Sequence, residues 1–315
     1  MVNSRQHNNN YNSHSQNKKN NNRFKNTGSK NYNSNSGKHG KEDKKSVDIS
    51  NVNIGYLFYK RYFQYNDGKL NLDNVKHINN TLNNYKFIKC DFNQSDDKEG
   101  FKLKTTYPGL LLGAGYQHEI KSGKGENKES PEYKLGFFFD YTTGQPIIPG
   151  SSIKGILRSS FPDKEDLKEE LDGFKIEYLK AKLKNILKET ELVSDKYVFD
   201  LKNEIFEGID NEGNDISTYD RDIFFDGIIV DVIGNDKRIL GDDYITPHKD
   251  EFSSPIPIKF LKVMPNVVFK FSFDLKDSKS LNITKKQKEE LFKSIILDLG
   301  VGAKTNIGYG ALTSL

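Results

Sequence analysis

Gly300-Val301-Gly302-Ala303-Lys304-Thr305-Asn306-Ile307-Gly308-Tyr309-Gly310 sets four glycines among one cation, two small polar side chains and one aromatic ring. A backbone so composed comes close to something and holds dihedrals that other residues avoid. Two readings fit. The stretch is a helix C-cap followed by a turn, or its successive N–H groups form an anion-binding concavity, with Lys304 adding charge and Tyr309 a face for a base. The flanks decide which folds can hold it. Thr284 with Gln287 three residues later is a capping-box pattern, and Leu291, Phe292, Ile295, Ile296 and Leu299 share one face, so a helix runs into Gly300. Ile307 to Leu315 then reads as a closing strand. A Walker loop and a dinucleotide fingerprint both need a strand before and a helix after, and Gly302-Ala303-Lys304-Thr305 lacks the adjacent Gly-Lys, so both are excluded.

Working back from that helix, Val267 to Leu275 alternates Val267, Phe269, Phe271 and Phe273 as a core strand, and Ile258 to Met264 is a second strand. Asp222 to Ile233 is a third. Its Asp222, Asp226 and Asp231 fit edge and turn positions better than a metal site, and Asp242, Asp243 and His248 pose the same question. Further upstream, Pro149-Gly150 breaks the chain, Ser151 or Ser152 can N-cap, and Ile153, Ile156, Leu157 and Phe161 follow helical spacing. The N-terminus of that short helix offers free N–H groups, with Lys154 and Arg158 four residues apart on one face. It is a phosphate site if it faces a groove and a capped surface helix if it faces water. Charged helices follow: Lys164 to Glu191, with Leu179, Leu183, Ile186 and Leu187 on one face and an interruption at Gly173, and then Lys196 to Phe206.

Phe101 to His118 reads as the first central strand, with a bend at Pro108-Gly109, and Tyr133 to Asp140 as another. Lys121 to Pro131 between them is a polar excursion. His118 beside Glu119 could serve as a general base or a metal ligand, although a lone histidine more often makes a structural hydrogen bond and no second histidine has ligand spacing. Ile54 to Phe63 is dense in aromatic rings and fits a strand or a helix equally, and residues 66 to 100 suggest a peripheral helix through Leu70, Leu72, Val75, Ile78 and Leu82.

Composition separates the N-terminus from the rest. Residues 1–47 hold ten Lys or Arg against Glu42 and Asp43, a local charge of +8, so with +4 overall the remainder carries −4. This Asn/Ser/Lys-rich segment has almost no aliphatic residues and is expected to be a disordered basic tail. Cys90 is the only cysteine, which excludes an internal disulfide and a multi-cysteine zinc site. Apolar runs are far shorter than a bilayer span, and no apolar segment follows Met1-Val2-Asn3-Ser4-Arg5, so a cytoplasmic location without membrane contact is expected.

Pro149 to Arg158 and Gly300 to Gly310 together resemble the signature pair of the RAMP proteins of CRISPR effector complexes, and within that superfamily the pattern is most like the sixth subunit of the type III-B (Cmr) complex. Tyr107-Pro108-Gly109-Leu110-Leu111-Leu112-Gly113, Phe139-Asp140-Tyr141-Thr142-Thr143-Gly144, Asp222-Ile223-Phe224-Phe225-Asp226 and Asp243-Tyr244-Ile245-Thr246-Pro247-His248 extend the resemblance, with gaps, from about Ile54 to the C-terminus.

The resemblance implies an α+β fold: a ferredoxin-like, RRM-related core over residues 48–315 with a helical insertion at about 162–206. It also implies a non-catalytic scaffold that holds guide RNA and the guide–target duplex by backbone contacts, beside other RAMP subunits of the Cmr complex, with no cofactor. On this expectation Lys304, Thr305, Asn306 and the backbone of Gly300, Gly302 and Gly308 contact phosphates and 2′-hydroxyls. Tyr309 orients or stacks, and Ser151, Ser152, Lys154 and Arg158 line the same surface. The alternative is a RAMP-type endoribonuclease cleaving guide precursor or target RNA, for which His118 or the aspartate clusters would be needed. A stand-alone RNA-binding protein is a third reading.

Overall fold

The structure, a computed structural model, describes residues 52–89, 99–113, 131–163, 170–188, 193–246 and 257–315. The basic tail, Cys90, His118 with Glu119, most of the Lys121 to Pro131 excursion, and His248 lie outside them.

Ile54–Tyr56 and Leu57–Arg61 form consecutive α- and π-helical turns, which settles the strand-or-helix ambiguity in favour of helix. The aromatic residues sit one turn apart, so Phe58 and Tyr62 reach inward together, with ring centroids 5.5 Å apart. Helix α1, Leu72–Asn83, starts where the Asn71 side chain accepts the N–H of Asn74, and it buries Val75, Ile78 and Leu82.

Strand β1, Gly100–Thr105, is far shorter than the alternation predicts. Beyond it Tyr107-Pro108-Gly109 turns the chain, and Leu110 exchanges hydrogen bonds only with Val263. Tyr133 to Asp140, also expected as a strand, forms no ladder, since its Tyr133, Phe137 and Phe139 are fixed by aromatic packing instead. Strand β2, Ile147–Ile148, leads into α2, Gly150–Ser159. Helix α3, Glu170–Leu187, runs unbroken through Gly173 and buries Leu179, Leu183 and Ile186. The expected break there is absent because the Gly173 backbone stays helical. Nothing lies within 4 Å of a Cβ added at Gly173, so Gly173→Ala should raise stability by roughly 0.5–1 kcal/mol, readable by urea titration. Helix α4, Asp195–Lys202, continues into a π-helical turn, Asn203–Glu207.

The expected Asp222 to Ile233 strand is divided into β3, Ile223–Phe224, and β4, Gly227–Val232. Strand β5, Leu240–Ile245, pairs antiparallel with β6, Ile258–Val263. Strand β7, Val267–Asp274, is buried along its length except for Asp274, as its aromatic alternation predicts for the strand at the centre of the core. Helix α5, Lys285–Leu299, carries the capping box of Thr284 and Gln287 in full, and β8, Leu312–Ser314, closes the chain. Thr305–Ile307 is a 3₁₀ turn, which shortens the expected last strand.

The fold is thus mixed α+β with antiparallel sheets. The main sheet has the order β8-β1-β7-β4-β2, and β3 adds to β7. Phe101 and Leu103 of β1 lie opposite Phe271 and Phe269 of β7, and Phe273 meets Phe292 of α5 at 5.5 Å. One large apolar cluster therefore joins sheet and helices. A smaller one, Leu111, Leu135, Phe260 and Tyr309, lies between the glycine-rich stretch and the β5–β6 hairpin. Among the described residues no helix is long and apolar enough to cross a membrane.

Candidate functional site

The glycine-rich stretch leaves α5 at Gly300, where φ is +72° and the N–H donates back to the Ile296 carbonyl at 2.9 Å. The C-cap reading of this glycine is therefore correct, and that N–H is not open to an anion. Val301 N–H donates to the Gly310 carbonyl at 2.9 Å, closing the stretch into a loop. The loop then lies along Gly109 to Leu111. Gly310 N–H donates to Gly109 O at 2.8 Å and Ala303 N–H to Leu111 O at 2.9 Å, and a Cβ on Gly302 would stand 2.4 Å from Leu111 O. Gly308, also at positive φ, donates its N–H to Thr305 O at 3.0 Å. Gly300 and Gly308 thus serve the loop's conformation, because their donors are already used.

What the loop leaves open is narrower. Lys304 sits at φ +61° and starts the 3₁₀ turn, and Thr305 and Asn306 are exposed. Among the described residues, the N–H groups of Lys304, Thr305 and Asn306 have no protein acceptor and the Lys304 ammonium has no ionic partner. Consecutive open donors beside an uncompensated cation are the arrangement that receives an anionic oxygen.

Tyr309 does not offer the stacking face expected of it. Its ring is 7% exposed and meets Phe260 edge-on at 5.8 Å. Its hydroxyl donates to Asp243 Oδ2 at 2.7 Å, and Lys262 Nζ lies 2.6 Å from the same oxygen. The ring fills an apolar gap while the hydroxyl is tied to β5, so Tyr309 orients the loop. Burial, the hydrogen bond to Asp243 and the Asp243 charge all push the Tyr309 hydroxyl above its ordinary range. Burial also pushes the Asp243 carboxyl up, but hydrogen bonds from Lys262, Tyr309 and the Tyr244 N–H outweigh it and hold Asp243 below the usual carboxylate value. A depressed carboxylate contributes stability above its unfolded pKa, and that contribution is lost as pH falls through the folded one. Tyr309→Phe should therefore cost about 1–2 kcal/mol near neutral pH. The difference from the parent should shrink in acid as Asp243 protonates, which urea titrations at neutral and low pH would show.

The second block is placed differently from expectation. Pro149, not Ser151 or Ser152, holds the N-cap position of helix α2, without a side-chain capping bond, and the side chains of Ser151 and Ser152 are exposed. The N–H of Gly150 donates to Asp226 Oδ1 at 2.7 Å, so a protein carboxylate already faces this helix N-terminus. Lys154 Nζ lies 5.8 Å from the centre of the Phe224 ring. Arg158 donates from Nε and from an Nη to Glu207 Oε1 at 3.0 and 2.8 Å, a partly exposed pair worth at most about 1 kcal/mol.

Nor do the two blocks line one surface. The start of α2 packs on Phe224 and Asp226, just before β4, whereas the glycine loop packs on the segment just after β1. Because β1 and β4 are both antiparallel to β7, they run the same way, so the start of one and the end of the other lie at opposite ends of the sheet. At roughly 3.3 Å per residue, a six-residue strand sets these ends about 20 Å apart.

The aspartates raised as catalytic candidates each have a partner within the protein, although Asp226 and Asp231 are exposed. Asp222 pairs with Lys288 at 2.9 Å, Asp226 faces α2, and Asp231 accepts the Val232 N–H at 2.7 Å. Asp242 accepts from Asn83 at 2.5 Å and from the Tyr133 hydroxyl, with Lys259 at 2.6 Å. Among the described residues no three His, Cys, Asp or Glu side chains converge on one point.

Residues 102–313 match the family model of the RAMP superfamily. The chain belongs to that superfamily. The match takes in β1, the Tyr107 to Gly113 segment, α2 and the glycine loop, so the elements that build the loop's surroundings are those of a RAMP protein. A curated relative, the CRISPR system Cmr subunit Cmr6 of Pyrococcus furiosus, is 28% identical over 207 residues, covering 54% of this chain and 58% of its own length. The match therefore spans less than two thirds of that RAMP relative. Among solved structures, Cmr6 from Pyrococcus furiosus aligns with a TM-score of 0.41 at 24% identity, covering 69% of this chain and 97% of its own. A chain of the type III-B Cmr-beta complex bound to cognate target RNA aligns with a TM-score of 0.49 at 19% identity, covering 84% of this chain and 92% of its own.

Proposed function

We propose that this RAMP protein is a non-catalytic RNA-binding scaffold subunit of a type III-B CRISPR effector complex. It holds guide RNA and the guide–target duplex through the ribose-phosphate backbone, beside other RAMP subunits. The observation that carries the reading is the loop at Lys304 to Asn306, where, among the described residues, consecutive N–H groups without a protein acceptor lie next to a cation with no counter-charge. A ferredoxin-like core, with the helices at about 162–206 as an insertion, is supported by the order β8-β1-β7-β4. In chain order, leaving aside the short β2 and β3 and the β5–β6 hairpin, those four strands stand fourth, first, third and second. The reading without catalysis is supported by the internal partners of every described aspartate considered above.

Labelled guide RNA titrated at several salt concentrations tests the assignment. Lys304→Ala should weaken binding and lower the log–log salt slope by about 0.7, the share of one single-strand phosphate contact. Lys154→Ala should act more weakly, being at the other end of the sheet. A Lys304→Ala/Lys154→Ala protein that keeps the parent's affinity and slope would show the assignment to be wrong. Incubation with guide precursor and target RNA, with and without magnesium, should leave both intact. Metal-independent cleavage lost in His118→Ala would establish the nuclease instead.

A further inference from the structure

We propose that Tyr107 is the stacking platform for an unpaired RNA base beside the glycine loop, the part that the buried Tyr309 cannot play. The proposal rests on the RNA-binding reading above and adds a residue to it.

The Tyr107 ring is 85% exposed, yet it stands on a backbone held from both directions. On one side Thr106 donates its N–H and its hydroxyl to the Ala311 carbonyl, at 3.1 and 3.0 Å. On the other, Gly109 accepts from Gly310, and Leu110 exchanges hydrogen bonds with Val263 at 3.0 and 2.8 Å. Gly109 itself is pressed so close to β6 that an added Cβ would lie 2.2 Å from Val263 O. Tyr107 is therefore fixed relative to the glycine loop by contacts with the loop's own end. Pro108 lies beside the loop, since a Cβ added at Gly308 would come within 3.6 Å of its Cδ. Thr305, Asn306 and Ile307, which lead from Lys304 into Gly308, are exposed.

A ring so exposed gains little for folding by burial. A flat, exposed face carried on a held backbone beside the glycine loop matches a nucleotide, whose base stacks while its phosphate meets the loop's N–H groups. Tyr219 makes a contrast. It is also highly exposed, but it sits in the 3₁₀ turn Thr218–Asp220 before β3, at the other end of the sheet.

The test compares full-length Tyr107→Ala, Tyr107→Phe, Tyr219→Ala and Lys304→Ala proteins on a labelled single-stranded RNA and on the same sequence as a closed duplex. Tyr107→Ala should melt like the parent, weaken single-strand binding about five-fold or more, and leave the salt slope unchanged. Tyr107→Phe and Tyr219→Ala should stay within about two-fold of the parent. The duplex, whose base faces are closed, should respond little to Tyr107→Ala. Single-strand affinity unchanged in Tyr107→Ala but reduced in Lys304→Ala would overturn the Tyr107 assignment while leaving the loop reading intact. No RNA binding by the parent would overturn both. A Tyr107→Ala protein that keeps its RNA but loses a co-purifying subunit would assign the ring to a protein contact and overturn the proposal.

Discussion

Gly310→Ala is expected to lower stability by about 3–5 kcal/mol, a fall in melting temperature on the order of 10 °C. Two costs act together at this position. The backbone holds φ +74°, where a side chain costs roughly 1–2 kcal/mol. The added Cβ would also stand 1.8 Å from the Val301 carbonyl oxygen, a backbone atom with little room to move, because Val301 N–H is itself bonded to Gly310 O at 2.9 Å. Relief would mean opening the pair that closes the loop, and with it the bond from Gly310 to Gly109. Gly155→Ala, in helix α2 with nothing within 4 Å of the added atom, should be neutral or stabilising and so controls for the substitution itself. Thermal and urea unfolding of the two variants decide the matter. A Gly310→Ala protein melting within a degree or two of the parent would mean that the loop's ends do not close on one another.

That contrast shows what a glycine-rich stretch does and does not disclose. The count of glycines in the loop suggested an anion cradle, but three of the four are needed where backbone meets backbone: Gly300 at Gly310, Gly302 at Leu111 and Gly310 at Val301. The partners of these contacts lie some 190 residues away or across the loop, and no local pattern points to them. Lys304 was legible as the cation of the candidate site, because its charge depends on no neighbour. Tyr309 was half legible, since an aromatic ring between glycines is equally consistent with a platform and with a plug. Only the Phe260 ring and the Asp243 carboxylate, from a hairpin about 50 and 66 residues earlier, make it a plug.

The fold divides along the same line. The α5 helix with its capping box, and β7 with its alternating aromatics, are set by local period and were read closely. Strand β5 was missed, because Leu240-Gly241-Asp242-Asp243-Tyr244-Ile245 shows no apolar alternation. Its half-buried aspartates pair with lysines and tyrosines of neighbouring elements and do not enter a core. Tyr133 to Asp140 erred the other way: the apolar run is real, but its rings pack against those of Ile54 to Phe63 and leave no ladder. The placement of α2 opposite the glycine loop depends on strand order, which two sequence blocks cannot express.

Lys288→Met should be as damaging as Gly310→Ala, for an electrostatic reason. Lys288 is a cation with 1% of its side chain exposed, on the inner face of α5. It lies 2.9 Å from Asp222 Oδ2 and 3.1 Å from Glu204 Oε1, carboxylates that are themselves 2% and 11% exposed. The remaining acceptors are used, with the Lys276 N–H on Asp222 at 2.7 Å and the Ser278 hydroxyl on Glu204 at 2.6 Å. Burial pushes the Asp222 carboxyl above its usual value, and Lys288 is the chief opposing influence. Methionine fills similar space but leaves two carboxylates facing each other without a cation, which costs about 3–5 kcal/mol in a buried pair. The pH dependence follows from linkage. With the cation gone, burial keeps the Asp222 carboxyl pKa raised in the folded state, so the folded state binds that proton more tightly than the unfolded chain, and stability should fall as pH rises through the elevated Asp222 pKa and recover on acidification. The parent should show a weaker trend, because Lys288 offsets part of the rise that burial imposes on Asp222. Adding Asp222→Asn to Lys288→Met should recover part of the loss and flatten the profile. Urea unfolding of parent, single and double variants between pH about 5 and 8 reads all of this. A Lys288→Met protein as stable as the parent, with no pH trend, would mean that the triad does not hold α5 against the Asp222 end of the sheet.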